Sequence, residues 1–252
     1  MSSSDDDGFC QPTDDNIPII EPELWEIQID DSLLKPCMQS ILANLKGLSQ
    51  GIAWVVNGFD VSGTNKMFGS VFSNYDWKLK DGIIANPNQT ASTSPILDSN
   101  GMVVTAFATN KYTNASDLSI ARTILHESLH AYMVVELKTN AVDYSTNFPK
   151  LWKDYIARKY GDDLEAYQHA AIAETYVWPL AATLKEYGEM QGYSLPYQFY
   201  GDMAWAGLQG TQAFSGLSTA VQQRIMDVIS VEFSGLNTNG NQVTKKGNNG
   251  GC

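Results

Sequence analysis

Apolar residues recur along this chain in two rhythms. Between 32 and 48 they fall at Leu33, Leu34, Cys37, Met38, Ile41, Leu42 and Leu45. That three-and-four spacing predicts an amphipathic helix, with Ser32 as its N-cap and Gly47 near its stop. Residues 49–113 are rich in Gly, Asn, Ser and Thr, and the rhythm there shortens to alternation. Residues 75–79 predict a strand, residues 86–100 read as a loop by composition, and residues 102–109 form the strongest strand of the chain. Helical spacing then returns. One helix begins near Ser116-Asp117, another runs from Pro149 through Leu151, Trp152, Tyr155 and Ile156 to Gly161, and a long one covers about 164–188 with a kink or break at Pro179. A short helix over 201–209 and a last one over 218–233 follow.

The helix starting at Ser116-Asp117 differs from the rest. Leu118, Ala121, Leu125, Leu129 and Tyr132 line one flank, and Ile120, Ile124, Ala131 and Val134 line another. Two apolar flanks mark a helix buried inside a domain. The strip between them holds Ser119, Arg122, Thr123, His126, His130 and Met133, so the polar line of a buried helix runs through two of the chain's three histidines. A buried polar strip needs a partner.

Composition and charge narrow the class. Of 252 residues, 43% are hydrophobic and 17% charged, enough apolar material for a real core. No apolar run approaches the roughly 20 residues of a membrane span. The net charge of −12 is unevenly spread: residues 1–34 carry ten acids and no Lys or Arg, which leaves the other 218 residues at −2. We divide the chain into an acidic, largely irregular arm (1–31), one domain (32–236) and a tail of flexible composition (237–252). Neither arm nor body has the basic stripe of a nucleic-acid binder. The first residues lack the basic and apolar regions of a secretory signal, which suits a soluble cytoplasmic protein or a piece of a longer secreted or cell-surface chain. Cys10, Cys37 and Cys252 form no C-x-x-C pair, which excludes a zinc ribbon. A Cys10–Cys37 disulfide and three free thiols are both compatible with their positions.

The candidate chemistry lies in His126-Glu127-Ser128-Leu129-His130, an H-E-x-x-H pattern. Four residues are close to one helical turn, so both imidazoles leave the helix on one side and can share an ion. Glu127 is then the general base for a zinc-activated water. A catalytic zinc uses three protein ligands, and the remaining histidine, His169, on the long helix, is the preferred third. Glu174 is its substitute, and Glu165 lies on the face of His169. Tyr176, seven residues after His169, is the candidate oxyanion donor, ahead of Tyr167 and Tyr132. Asp202 or Glu136 would accept from the ligand N–H groups, although Asp202, after Gly201, also reads as a helix N-cap. The strand over 102–109 offers an edge on which an extended polypeptide substrate could pair.

Residues 118–133 resemble the active-site helix of the zincin metallopeptidases. The order of strand, short loop, H-E-x-x-H helix, connection and a later histidine is similar to the SprT-like family, matched here by His126, Glu127, His130 and His169. The metzincin extension is absent between 134 and 139. The chain is also similar to H-E-x-x-H modules at the ends of large bacterial surface proteins. The resemblance implies a mostly helical α+β domain, zincin-like, with a small antiparallel sheet packed on the H-E-x-x-H helix. It also implies one catalytic Zn2+ and endopeptidase activity. A non-catalytic zinc-stabilised binding module and a zinc amidase acting on a cell-wall amide are the competing functions.

Overall fold

The computed structural model describes residues 29–53, 55–56, 77–87, 89–137 and 176–252, with backbone alone at 133 and 135–137. The first element among the described residues is a strand, β1 (Ile29–Leu33), which takes in the residues where the helix was expected to begin. Pro36 explains the difference. It sits in the first turn of α1 (Pro36–Lys46), where its missing N–H is no loss, and Lys35 before it is extended. Proline pushes its predecessor out of helical geometry, so the helix cannot reach back to Ser32.

Strands β2 (Trp77–Asp81), β3 (Ala91–Thr93) and β4 (Val103–Phe107) complete a four-stranded sheet of order β1-β2-β4-β3. The expected antiparallel sheet is corrected to a mixed one. β1, β2 and β4 run parallel, and only β3 is antiparallel to its neighbour β4. Alternation fixes which side chains face inward: Trp77 and Leu79 on β2, and Val103, Thr105 and Phe107 on β4, are buried. Because β4 lies between β2 and β3, it is not an edge. The terminal strand on that side, among the described residues, is β3, inside the stretch expected to be a loop.

Helix α2 (Asp117–Leu137) carries the H-E-x-x-H pattern and packs against α1, β3 and β4. It also meets α3 (Trp178–Met190), α4 (Tyr197–Ala204) and α6 (Thr219–Ser234). Its flanks are buried as the pattern predicts: Leu118, Ile120, Ala121, Ile124, Leu125 and Ala131 are fully covered. Each large aliphatic among them contributes roughly 1.5–3 kcal/mol by leaving water. Pro179 occupies the first turn of α3. The stretch expected as the 201–209 helix forms as α4, four residues earlier, followed by turns and the short α5 (Gln212–Ser215). α6 is capped by Ser218 and stopped by Gly235 in the left-handed region.

The start of α2 is tied to the C-terminal segment. The Ser116 N–H donates to Glu232 O and the Asp117 N–H to Asn248 O, while Ser116 Oγ caps the Ser119 N–H. The otherwise orphaned donors of a helix start therefore have partners. Fully buried Glu232 accepts from the Lys246 and Gly247 N–H groups, and the Gly250 N–H donates to Ala115 O. Cys252 is disulfide-bonded to Cys37 on α1. Residues 237–252, flexible by composition, are thus anchored at both the α2 start and α1. The pairing of Cys37 with Cys252 replaces the Cys10–Cys37 alternative; Cys10 lies outside the described residues. No described helix is long and apolar enough to cross a membrane.

Candidate metal centre

Helix α2 brings His126, Glu127 and His130 together, with ligand atoms all within 4.8 Å of one another. The i, i+4 spacing turns the two rings to one side, where His126 Nε2 and His130 Nε2 lie 3.1 Å apart. A tetrahedral ion about 2.0–2.1 Å from each of two nitrogens holds them roughly 3.3 Å apart, so this pair fits one ion. His126 and Glu127 are buried and His130 is half-buried. Burial keeps both imidazoles neutral: it pushes His130 down to about 3 and His126 well below its ordinary value, the latter helped by His130 and Arg122. Neutral imidazoles are the ligand form.

The other ring nitrogen of His126 is also engaged. The Tyr176 hydroxyl forms a short hydrogen bond with His126 Nδ1, its ring edge-on to the imidazole. With the proton on Nδ1, His126 donates to Tyr176 and presents the Nε2 lone pair to an ion, the usual way a ligand histidine is oriented. The structure places the Tyr176 hydroxyl, the expected oxyanion donor, on the ring of His126, a candidate ligand. The turn after α4 supports the same ring. Gly207 has φ +87°, and a Cβ there would stand 2.7 Å from His126 Cε1. Backbone lies where any side chain would collide with the imidazole.

Glu127 is reached from the sheet. Thr93 Oγ1 on β3 lies 2.7 Å from Glu127 Oε2 and 2.7 Å from Thr105 Oγ1 on β4. The Trp77 indole N–H on β2 donates to Thr105 Oγ1 at 2.8 Å. Burial pushes the Glu127 carboxyl up to about 7, against the Thr93 hydrogen bond and the Arg122 charge, which favour the anion. A carboxyl titrating near neutrality is matched to taking and returning a proton. Arg122, one turn earlier on α2, is itself buried, and its Nε has no hydrogen-bond partner among the described residues.

His169, Glu165, Glu174 and Tyr167 lie outside the described residues, as does the Glu136 side chain. Tyr132 is buried among the core side chains. Asp202 is corrected on both expectations. It sits within α4 and caps no helix, and its carboxylate accepts from Arg224 Nε and Nη2 and from Gln198 Nε2. Thr93, Thr105, Trp77 and Gly207 were not singled out by sequence. Thr93 lay in a Ser/Thr-rich stretch that reads as loop, and no local signal links Gly207 to a histidine 81 positions earlier. Compared with protein-family models, curated proteins and solved structures, the chain matches none.

Proposed function

We propose that this protein is a zinc-dependent hydrolase, and specifically an endopeptidase of the zincin type with the SprT-like order of ligands. One observation carries the reading: a buried helix presents two neutral imidazole nitrogens 3.1 Å apart, beside a carboxylate held from the sheet. His126 and His130 hold the ion, and His169 is the third ligand. When bound, zinc supplies a Lewis acid that lowers the pKa of a water ligand and polarises a carbonyl. Glu127 removes the proton from the attacking water and delivers it to the departing nitrogen, a cycle its elevated pKa supports. Tyr176 holds the His126 ring in the orientation that keeps Nε2 on the ion.

A polypeptide substrate is favoured by the terminal position of β3. An extended chain pairing with β3 runs beside Thr93, 2.7 Å from Glu127. This replaces the β4 edge as the docking strand. The Cys37–Cys252 disulfide supports an oxidising compartment.

The test is zinc analysis of the purified protein combined with degradation of fluorescein-labelled casein. Wild type is expected to hold one zinc and cleave casein. His169→Ala should lose zinc, and Glu127→Ala should keep zinc and lose cleavage. Full zinc occupancy in His169→Ala rejects the third ligand. Undiminished cleavage by Glu127→Ala rejects Glu127 as the base.

A further inference from the structure

Four buried side chains on four elements form a single file of hydrogen bonds that ends on Glu127. Trp77 on β2, Thr105 on β4 and Thr93 on β3 follow the spatial order of the strands across the sheet. Thr93 and Thr105 are direct cross-strand partners, and Thr93 reaches Glu127 on α2. The spacings are 2.8 Å from Trp77 Nε1 to Thr105 Oγ1, 2.7 Å from there to Thr93 Oγ1, and 2.7 Å to Glu127 Oε2. Trp77 and Thr105 are wholly buried, and Thr93 and Glu127 nearly so. Water does not reach these groups to replace a lost partner, which makes each link count for more than it would at the surface.

The direction of the file follows from its two ends. An ionised carboxylate can only accept, so Thr93 gives its proton to Glu127. Thr93 then has no proton left for Thr105 and accepts the Thr105 proton instead. At the far end the indole N–H, a donor only, fills an acceptor site of Thr105. A threonine pair alone would have no fixed direction, because either hydroxyl could donate. The carboxylate removes that freedom, and the indole satisfies the oxygen that donates into the chain.

We propose that Thr93 is a positioning residue for Glu127: the one-way chain Trp77–Thr105–Thr93 pins one carboxylate oxygen and leaves the other to take the proton from the attacking water. The proposal rests on the reading of Glu127 as general base. It explains why a polar threonine pair and an indole N–H are buried on the inner face of a sheet that could have been wholly apolar. It also gives short strand β3 a role beyond covering the core, since β3 carries the last donor in the chain.

Two measurements test it. The first is spectroscopic and independent of turnover. In the full chain with 15N-labelled indoles, Trp77→Phe identifies the Trp77 N–H resonance among the six tryptophans. Glu127→Gln, an isosteric change that does not touch the indole, should move that resonance. In a Thr93→Val background the same change should no longer move it. An indole indifferent to Glu127→Gln, or one that responds equally without Thr93, overturns the chain.

The second is kinetic, with zinc-loaded protein and fluorescein-labelled casein. Thr93→Val should lower kcat on the order of tenfold to a hundredfold, as expected for a misaligned catalytic group, with KM and zinc content unchanged. Thr93→Ser, which keeps the donor, should restore kcat. Wild-type kcat in Thr93→Val overturns the positioning role and leaves the hydrolase reading intact. If Thr93→Val is poorly folded, the Thr93→Val/Thr105→Val pair removes both hydroxyls together, and the indole readout is repeated on it with the same two outcomes. Wild type inert on casein with the indole coupling present rejects the endopeptidase and upholds the chain.

Discussion

The disulfide gives the sharpest stability prediction. Cys37 and Cys252 are 215 residues apart in sequence, so the bond closes almost the whole described chain into one loop. Loop-closure entropy for that length amounts to about 5 kcal/mol at 25 °C, at the upper end of what disulfides deliver. A more typical yield of about 2–4 kcal/mol shifts the thermal midpoint of a protein this size by roughly 4–16 °C. The local structure adds to this. A freed C-terminus exposes the bonds that satisfy Asp117 N and the buried Glu232 carboxylate, at the start of the helix that carries His126. The assay is thermal unfolding of wild type, Cys37→Ser, Cys252→Ser and the double variant, with and without reductant. A single bond is lost only once. Both single variants and the double should therefore unfold at one lowered midpoint, reductant should bring wild type down to it, and reductant should leave the variants unmoved. A Cys252→Ser protein that matches wild type and still responds to reductant would mean that Cys37 pairs with Cys10. A wild type indifferent to reductant would mean three thiols.

Three further outcomes follow from the same geometry. Gly207→Ala places a methyl group 2.7 Å from His126 Cε1 at φ +87°; it should cost roughly 1–2 kcal/mol of stability from backbone strain alone and weaken zinc binding at least tenfold in a chelator competition. Asp202→Asn removes a buried carboxylate that holds Arg224 and Gln198, so urea unfolding should show a loss of about 1–3 kcal/mol with zinc content unchanged; lost zinc would instead link Asp202 to the centre. The third concerns pH and zinc-free protein. His126 and His130 titrate in the folded state below their ordinary 6.5, so their contribution to stability falls as pH drops below 6.5. Glu127 titrates at about 7 instead of 4.5, so its contribution rises as pH drops from 7 to 4.5. Glu127→Gln deletes only the second effect, so between pH 7 and 4.5 it should lose stability faster than wild type by about 1.4 kcal/mol per pH unit. Parallel stability curves for the two proteins would remove burial of Glu127 from the account.

How much of this was legible depends on how far apart the interacting residues are. The burial of α2 could be read because its two flanks repeat within a few residues, and β4 because Val103, Thr105 and Phe107 alternate locally. Ser218 and Gly235 mark the ends of α6 through chemistry confined to one turn each. The misreadings are of two kinds. Pro36 is a local signal masked by the apolar spacing around it, and it separates β1 from α1. The others are long-range. The direction of a strand is set by its partner, so the parallel pairing of β2 with β4 has no signature in either segment. β3 exists because β4 offers it an edge, although its Ala-Ser-Thr sequence alone reads as loop. The composition of 237–252 describes a tail, and only its contacts with Ala115, Asp117 and Cys37, far off in sequence, show that it is tied down.

The same distance rule explains why the motif was visible and its supports were not. A buried helix with a polar strip must find a partner for each polar group on it. Thr123 and Ser128 turn back onto their own helix, through Ser119 O and Leu125 O. The groups in the motif cannot do so. His126 takes Tyr176 on one nitrogen and faces His130 with the other, and Glu127 takes Thr93. Tyr176 and Thr93 come from outside the helix, and the ring of His126 is further held by the Gly207 backbone. Satisfying so few polar atoms with so many separate elements is costly to arrange for a helix that merely fills a core, where Leu or Ala at 126 and 130 would need no partner. It suits a metal site, because two imidazole nitrogens 3.1 Å apart on one side of a buried helix can share a cation when both present their lone pairs.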